Sequence, residues 1–270
     1  MLKDITLGQF FPGTSFIHRL DPRTKLVILV GYIVIVALFL AENWIGYVVM
    51  LAFLAGCIAL SHIPLKSIFH GLKPMVVILI FTAVLNVFMT RGETVWLQWY
   101  FLLITKEGVL RAVFMAVRIM MLVTGTLLLT YTTSPIALTD GLEALLSPLK
   151  KIKLPVHELA MMMCIALRFI PTLIEETDKI MSAQKARGAD FETGSLIQRV
   201  KAMIPILIPL FISSFRRADE LATAMECRCY HGGEGRTKMK ILRYTRLDFE
   251  AYVFGVVLLA GVIVLAAFGL

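Results

Sequence analysis

Charged residues are scarce in this chain. Asp, Glu, Lys and Arg together make up 17% of its 270 residues, whereas apolar residues make up 58%, against about 45–50% in an ordinary soluble domain. The apolar residues fall in long blocks and give a mean hydropathy of +0.81. A soluble globular domain, a disordered chain and a small disulfide scaffold are therefore excluded. The sequence predicts a membrane protein.

Cysteines are also few, and they show no paired framework. The four are Cys57, Cys164, Cys227 and Cys229. Their placement indicates a reduced, inward-facing setting. The first 25 residues lack the charged start, short apolar core and small-residue cleavage site of a signal peptide, so we expect the first apolar block to be retained.

Several enzyme motifs are missing. His157 and Glu158 are followed by Met161 where a zinc protease would have its second histidine. The glycine-rich segment 232–238 does not have the spacing of a phosphate-binding loop and instead suggests a flexible linker. Cys227, Cys229 and His231 lack a fourth metal ligand. We therefore expect no catalytic residue and no metal in this chain, so any ATP hydrolysis would belong to another protein.

Five apolar blocks are predicted to cross the bilayer as helices, for which about 17–25 residues are needed. They are Leu26–Ala41, Trp44–Leu60, Met75–Thr90, Gly108–Thr133 and Ala251–Leu270. Glu42 and Asn43 indicate a tight turn between the first two. The aromatic block Val95–Ile104 is too short to cross and is expected in the membrane interface.

The basic residues are unevenly distributed and predict the orientation. Of the 27 Lys and Arg residues, 17 lie in the stretch 134–250, and cytoplasmic segments carry such an excess. We expect a cytoplasmic N-terminus, an external C-terminus and three regions: four spans in 1–133, a cytoplasmic domain in 134–250 and a last span in 251–270. The predicted fold class is an all-α polytopic membrane protein with about five spans and two long cytoplasmic helices.

The two long helices are predicted over Pro155–Arg187 and from Leu196 to about Arg228. Proline suits a first helical turn and glycine suits the stop, as Pro155 and Gly188 do for the first helix. Each helix has about 33 residues and would be about 50 Å long. Internal prolines predict kinks in both. A shorter helix, from about Ile136 to Leu149, precedes them.

The ends of these helices match each other. Asp178 precedes Arg187 by nine residues, and Asp219 precedes Arg228 by nine. Such an internal repeat suggests two similar receptors for two arginines. A chance match of a few positions is the alternative.

Three motifs carry a family resemblance. They are the stretch 20–26 (LDPRTKL), the helix end 185–188 (KARG) and the stretch 217–230 (RADELATAMECRCY). Together they resemble the transmembrane (T) component of energy-coupling factor (ECF) transporters, and the resemblance covers the whole chain. In that family two Ala-Arg-Gly motifs close two long coupling helices, and each arginine docks into a groove on one of two ATPase subunits.

The resemblance assigns docking roles to six residues at the helix ends. The first motif matches as Ala186, Arg187 and Gly188, but the second departs from the family pattern, since Cys227 and Cys229 flank Arg228. A cysteine adopts the left-handed backbone of a helix stop less readily than glycine, which leaves the geometry at Cys229 open. The alternative for both arginines is a solvated cation favoured by the helix dipole.

The resemblance also implies the partners. They are two ABC ATPase subunits that carry ATP and Mg, and an exchangeable membrane-embedded S component that binds the vitamin to be imported. This chain would bind no cofactor and no nucleic acid, and would otherwise contact membrane lipid. Six residues are predicted to form one S-component surface, with core packing as the alternative: Met161, Met162, Met163, Met203, Pro205 and Pro209.

Asp21, Pro22 and Arg23 form the remaining signature, immediately before the first span. It is expected to be structural, and an ordinary positive-inside anchor is the alternative reading.

Two other function classes stay open. A self-contained secondary transporter or channel would need paired polar residues at mid-membrane depth, and only Arg118 and Asn86 are candidates. A membrane enzyme acting on lipid head groups would need a nucleophile beside His157 or His231, and none is evident.

Overall fold

The structure is a computed structural model that describes residues 10–38, 44–90, 95–99, 102–191, 195–233 and 241–267. Ten α-helices lie in these ranges. They are α1 (Phe16–Arg19), α2 (Pro22–Leu38), α3 (Trp44–Ser61), α4 (Leu65–Leu72), α5 (Val76–Met89), α6 (Lys106–Thr132), α7 (Pro135–Leu146), α8 (Val156–Ala186), α9 (Leu196–Cys227) and α10 (Arg246–Ala267). The predicted all-α polytopic fold is confirmed.

A short antiparallel pair of strands is the one sheet among the described residues. Its strands are β1 (Val95–Trp99) and β2 (Leu102–Thr105), with Trp99 opposite Leu102. This is the aromatic block that is too short to cross a bilayer. Aromatic and branched residues favour strands, which explains why this block is not helical.

Six helical segments are long and apolar enough to cross a membrane by length and composition: α3, α4 with α5 (Leu65–Met89), α6, α8, α9 and the Arg246–Leu265 part of α10. Four of them correspond to predicted spans. The set exceeds expectation because it includes α8 and α9, whose apolar windows are less hydrophobic than those of the other four. The first predicted span corresponds to α2, of which 17 residues are described, and the turn at Glu42 and Asn43 lies outside the described residues.

The chain divides into two compact units. The described residues of one lie within 142–241, and those of the other lie within 10–141 and 242–267. We call them the long-helix unit and the span unit.

The core of the span unit brings four helices together. Val36 of α2, Met50 of α3, Met121 of α6 and Val262 of α10 are all buried in one apolar cluster. The hydroxyl of Tyr32 donates to the Met121 carbonyl over 3.0 Å, so the one polar atom of this ring is satisfied inside the cluster.

Candidate functional site

Local residues mark the start of both long helices. Pro155 is the N-cap of α8, which begins at Val156. Ser195 caps α9 through a capping box: its hydroxyl accepts from the backbone N–H of Gln198, and the Gln198 side chain accepts from the backbone N–H of Ser195. Such reciprocal bonds satisfy two N–H groups that have no partner within the helix. Both predicted starts are confirmed to within one residue.

The two C-terminal ends have the same hydrogen-bonded geometry. In α8 the N–H of Gly188 donates to Lys185 O (3.0 Å) and the N–H of Ala189 donates to Gln184 O (3.0 Å). These two bonds define a Schellman motif with Arg187 as the C-cap.

In α9 the equivalent bonds recur at the same offsets. The N–H of Cys229 donates to Glu226 O (2.8 Å), and the N–H of Tyr230 donates to Met225 O (3.0 Å). Arg228 is the C-cap, with φ −92° and ψ 14°, close to the −85° and 4° of Arg187. The repeat suggested by sequence spacing is therefore also a repeat of backbone conformation.

Cys229 occupies the left-handed position that glycine holds at the end of α8. Its φ is +54°, and that of Gly188 is +87°. A residue with a Cβ loses about 1–2 kcal/mol in this conformation. The question raised by the missing glycine is settled: the stop forms with the same hydrogen bonds, at a cost that Gly188 avoids.

Both arginines are exposed, together with Ala186, Gly188, Cys227 and Cys229. Within the described ranges, neither guanidinium has a hydrogen bond or ion pair to another group. An exposed guanidinium at a helix C-terminus is favoured by the dipole and presents a planar fork of donors to carboxylates or carbonyls. Each end can therefore bind an acceptor on another molecule without breaking an internal bond.

The contacts between α8 and α9 show that the helices run antiparallel. Gln184 Nε2 donates to Pro205 O (3.5 Å), while Glu176, eight residues earlier, contacts Ser213 and Arg217. Arg187 is thus within one turn of the Gln184 contact. Arg228 lies 23 residues beyond Pro205, which is about 35 Å at 1.5 Å per residue. The two arginines are at opposite ends of the helix pair.

A polar brace holds the helices at their crossing. Glu176 accepts from Arg217 NH2 over 2.7 Å with one oxygen and from the Ser213 hydroxyl with the other. The side chains of Arg217 and Glu176 are 34% and 21% exposed, so solvent screens the pair only in part. Sequence reasoning missed this brace, although the pairs Glu175-Glu176 and Arg216-Arg217 carry opposite charge.

The predicted methionine and proline residues fall into two groups. Met162 and Met163 are exposed near the start of α8, and Met203, Pro205 and Pro209 are exposed in the first half of α9; Met161 is half-buried. Because the helices are antiparallel, the two groups lie about 30 Å apart along the pair. They therefore do not form one continuous surface, and their contact with an S component stays a prediction.

A longer apolar stripe is exposed on α9. Six large side chains follow each other at intervals of three or four residues, each between 47% and 70% exposed: Ile197, Val200, Ile204, Ile208, Phe211 and Phe215. This spacing places them on one face over five turns. Exposed apolar patches of this extent mark contacts with another protein or with lipid.

The signature Asp21-Pro22-Arg23 lies within the span unit, where it joins helix ends. Arg23 is 4.6 Å above the Tyr244 ring, and its NH2 donates to Leu242 O over 2.7 Å. Its Nε is 3.3 Å from Asp21 Oδ1. Pro22 packs against Gly141, where an added Cβ would lie 2.9 Å from Pro22 Cβ. These contacts favour the structural reading over a simple membrane anchor.

Asp248 completes this network, and sequence reasoning did not single it out. It is fully buried. It accepts from the backbone N–H groups of Asp21 and Thr245, each over 2.8 Å, and from the Thr245 hydroxyl over 2.7 Å. A buried carboxylate with several donors is stabilised, and this one ties the start of α2 to the start of α10. An acidic residue in the first turn of the last span was the available signal.

One further polar candidate, His157, has a structural partner. His157 Nδ1 is 3.0 Å from Glu143 Oε1, and Gly233 packs so closely on the imidazole that a Cβ there would clash with it. The glycine-rich linker is therefore packed where it begins, and its residues 234–238 lie outside the described ranges. Across the described residues, no three His, Cys, Asp or Glu side chains are placed to hold a metal ion.

Comparison with known proteins places the chain in a family. The family model described as cobalt transport protein, CbiQ, matches residues 13–239. An energy-coupling factor transporter transmembrane protein EcfT from Clostridium kluyveri is 57% identical over 96% of this chain and 95% of its own length. EcfT from Ruminiclostridium cellulolyticum is 54% identical over 98% of both chains, and EcfT from Bacillus subtilis is 49% identical over 96% of this chain and 97% of its own.

These matches span both units and are far above the level at which a family is in question. They confirm the resemblance drawn from three short motifs. This multi-pass membrane protein therefore belongs to the CbiQ and EcfT family, the transmembrane proteins of energy-coupling factor transporters.

Proposed function

We propose that this chain is the non-catalytic coupling subunit of an ECF importer. It passes the motion of two ATP-hydrolysing ABC subunits to a membrane-embedded S component that carries a vitamin. ATP and Mg are bound by the ATPase subunits, and this chain supplies the mechanical connection between the partners. The N-terminus is cytoplasmic and the C-terminus external.

The observation that carries the proposal is the pair of identical helix ends. Arg187 and Arg228 have the same C-cap conformation, the same Schellman bonds and the same exposure. Their separation of about 35 Å along the pair is too large for one small receptor. Two receptors of the same kind, one for each end, match this arrangement.

The antiparallel crossing gives these ends a shared fulcrum. The brace of Glu176, Ser213 and Arg217 fixes the helices to each other near the middle of α8. A displacement applied at either end is therefore transmitted across the crossing rather than absorbed by sliding. Closure of two ATPase subunits would move both arms of the pair together.

The exposed stripe of α9 is the surface we assign to the S component and the membrane around it. It extends over about 27 Å, and among its neighbours on the same face Lys201, four residues after Ile197, is charged and exposed. Met203 adjoins it, and Pro205 and Pro209 remove two backbone N–H groups from this half of the helix. An apolar surface makes weakly directional contacts, and the flexible side chain of Met203 beside it suits a partner that is exchanged.

The test is affinity purification of the tagged chain in mild detergent from its native cell. Two related ATPases and a small hydrophobic protein are expected to copurify with ATPase activity. Arg187→Glu and Arg228→Glu should each reduce ATPase recovery, and the double variant should abolish it, because a reversed charge repels the acceptor that binds arginine. Arg216→Glu is the matched control, since Arg216 is exposed near the middle of α9, about 18 Å along the helix from Arg228.

The outcomes separate the proposal from its alternatives. Normal ATPase recovery with both arginines reversed would defeat the docking assignment. A chain that purifies alone and without ATPase activity would favour a self-contained transporter. Loss of ATPases with the control as well as with the helix-end variants would show that the effect is general surface charge.

A further inference from the structure

A short basic segment lies between α7 and α8, and the proposed coupling function gives it no role. The segment is 147–155, with the sequence SPLKKIKLP. It begins with a 3-10 turn (Ser147–Ile152) and ends at the N-cap of α8. Lys150, Lys151 and Lys153 are all exposed, and the segment contains no acidic residue.

Two large apolar side chains are exposed between the lysines. Ile152 is 74% exposed and Leu154 is 43% exposed. The backbone is held in place, since the N–H of Lys153 donates to Lys150 O over 3.0 Å and that of Val156 donates to Leu154 O over 2.8 Å. Lys153 closes the turn with a left-handed conformation at φ 62°. The apolar side chains are thus presented by an ordered turn.

The lysine ammonium groups are available for a ligand. In the stretches that the structure describes, none of the three makes a hydrogen bond or an ion pair. The neighbouring Glu143 is engaged with His157. Three free ammonium groups beside two exposed apolar side chains are complementary to an anionic bilayer surface, where phosphates meet acyl chains.

The segment follows a membrane-spanning helix closely in the sequence. Lys150 is 18 residues beyond Thr132, where the apolar helix α6 ends. Basic residues within about 20 residues of a span contribute to the cytoplasmic excess, and basic segments close to a membrane are attracted to its anionic head groups. An acidic protein would satisfy the lysines but offers no reason for Ile152 to be exposed beside them.

We infer that the segment 147–155 binds the anionic phospholipid surface of the cytoplasmic leaflet, with Ile152 and Leu154 inserted at the head-group boundary and the three lysines on phosphates. This contact anchors the start of α8 to the bilayer. It relies on the proposed cytoplasmic side of the segment, but it does not depend on ATPase or S-component binding.

The experiment is lysine acylation of the full chain in lipid nanodiscs, read by mass spectrometry. Discs of phosphatidylcholine are compared with discs that contain equal parts of phosphatidylcholine and phosphatidylglycerol. Both bilayer faces are open in a disc, so the result does not depend on orientation. Lys150, Lys151 and Lys153 should react about threefold or more slowly in the anionic discs, and high salt should reverse the effect.

Two controls distinguish insertion from general electrostatics. Exposed Lys179 lies on α8 and should change much less. Ile152→Ser should restore part of the reactivity, because it removes the inserted side chain. Ile152 is 74% exposed, so this change is not expected to affect folding.

Three results would overturn the inference. The first is equal reactivity of the three lysines in the two lipids. The second is an equal slowing at Lys179. The third is protection that appears only when the ATPases or the S component are added, which would make the segment a protein-binding site while leaving the coupling function intact.

Discussion

Arginines of the two units are used in opposite ways. Arg23, in the span unit, is mostly buried, with a carboxylate, a carbonyl and an aromatic ring around its guanidinium. Arg187 and Arg228, in the long-helix unit, are exposed, with no such group around them in the described part of the chain. The same side chain is a structural connector in one place and an open donor in the other.

The difference follows from whether the surrounding polar groups need the side chain as a hydrogen-bond partner. Near Arg23 several chain segments meet, and buried polar groups must be paired there. At Arg187 and Arg228 the Schellman bonds already satisfy the last carbonyls of each helix. The side chain is therefore not needed for the fold and is available for a partner.

The largest expected effect is on the buried network. Asp248→Ala removes the acceptor of three hydrogen bonds and leaves the Asp21 N–H buried without a partner, which should lower the free energy of unfolding by about 3 kcal/mol. The melting temperature of the purified chain in detergent reports it. Asp219→Ala, at an exposed site on α9, is the control. Equal melting temperatures for the two variants would show that the network is not a stabilising feature.

Arginine truncation gives the most direct contrast between the units. Arg23→Ala should destabilise the chain by about 1–3 kcal/mol, because the charged hydrogen bond to Leu242 O and the contact with Tyr244 are lost. Arg187→Ala and Arg228→Ala should change stability by less than about 0.5 kcal/mol. The same thermal assay compares them. A large destabilisation by either helix-end variant would make that arginine structural.

The two helix ends differ in the residue at the left-handed position, which is Gly188 in α8 and Cys229 in α9. Gly188→Cys forces a Cβ into the left-handed position and should cost about 1 kcal/mol, whereas Cys229→Gly should stabilise the chain by about the same amount. Thermal unfolding under reducing conditions measures both. If the two exchanges change stability in the same direction, the left-handed geometry at one of the two ends is wrong.

The brace between α8 and α9 should contribute least to the free energy of unfolding. Glu176 and Arg217 are partly exposed, and such pairs are worth about 0.5–1 kcal/mol. A double-mutant cycle of Glu176→Gln and Arg217→Met isolates this coupling energy. A coupling energy of zero would mean that the brace does not hold the crossing, and the shared fulcrum would lose its support.

Local rules predicted much of this molecule. The bounds of α8 and α9 follow from Pro155, Ser195 and the arginines at their ends, since caps depend on a few neighbouring residues. The spans follow from long apolar blocks because the bilayer imposes their length. The signature at Asp21 and the two helix ends could also be singled out from the sequence, because they are short contiguous motifs.

Features that depend on distant residues were not predictable. The antiparallel crossing brings Gln184 to Pro205 and Glu176 to Arg217, and no local pattern encodes such a register. The same is true of Asp248, whose partner Asp21 is 227 residues away. The two groups of methionine and proline residues are a further example, because whether they adjoin depends on the direction in which α8 and α9 pack.

The central claim is that each helix end docks one ATPase subunit. Site-specific photocrosslinking from positions 186 and 227, both exposed beside the two arginines, tests it in the assembled complex, with the exposed mid-helix position 216 as the control. The account predicts that both helix-end positions capture an ABC ATPase and that position 216 captures no ATPase. Capture of an ATPase from one end only, or of membrane proteins alone from both, would contradict it.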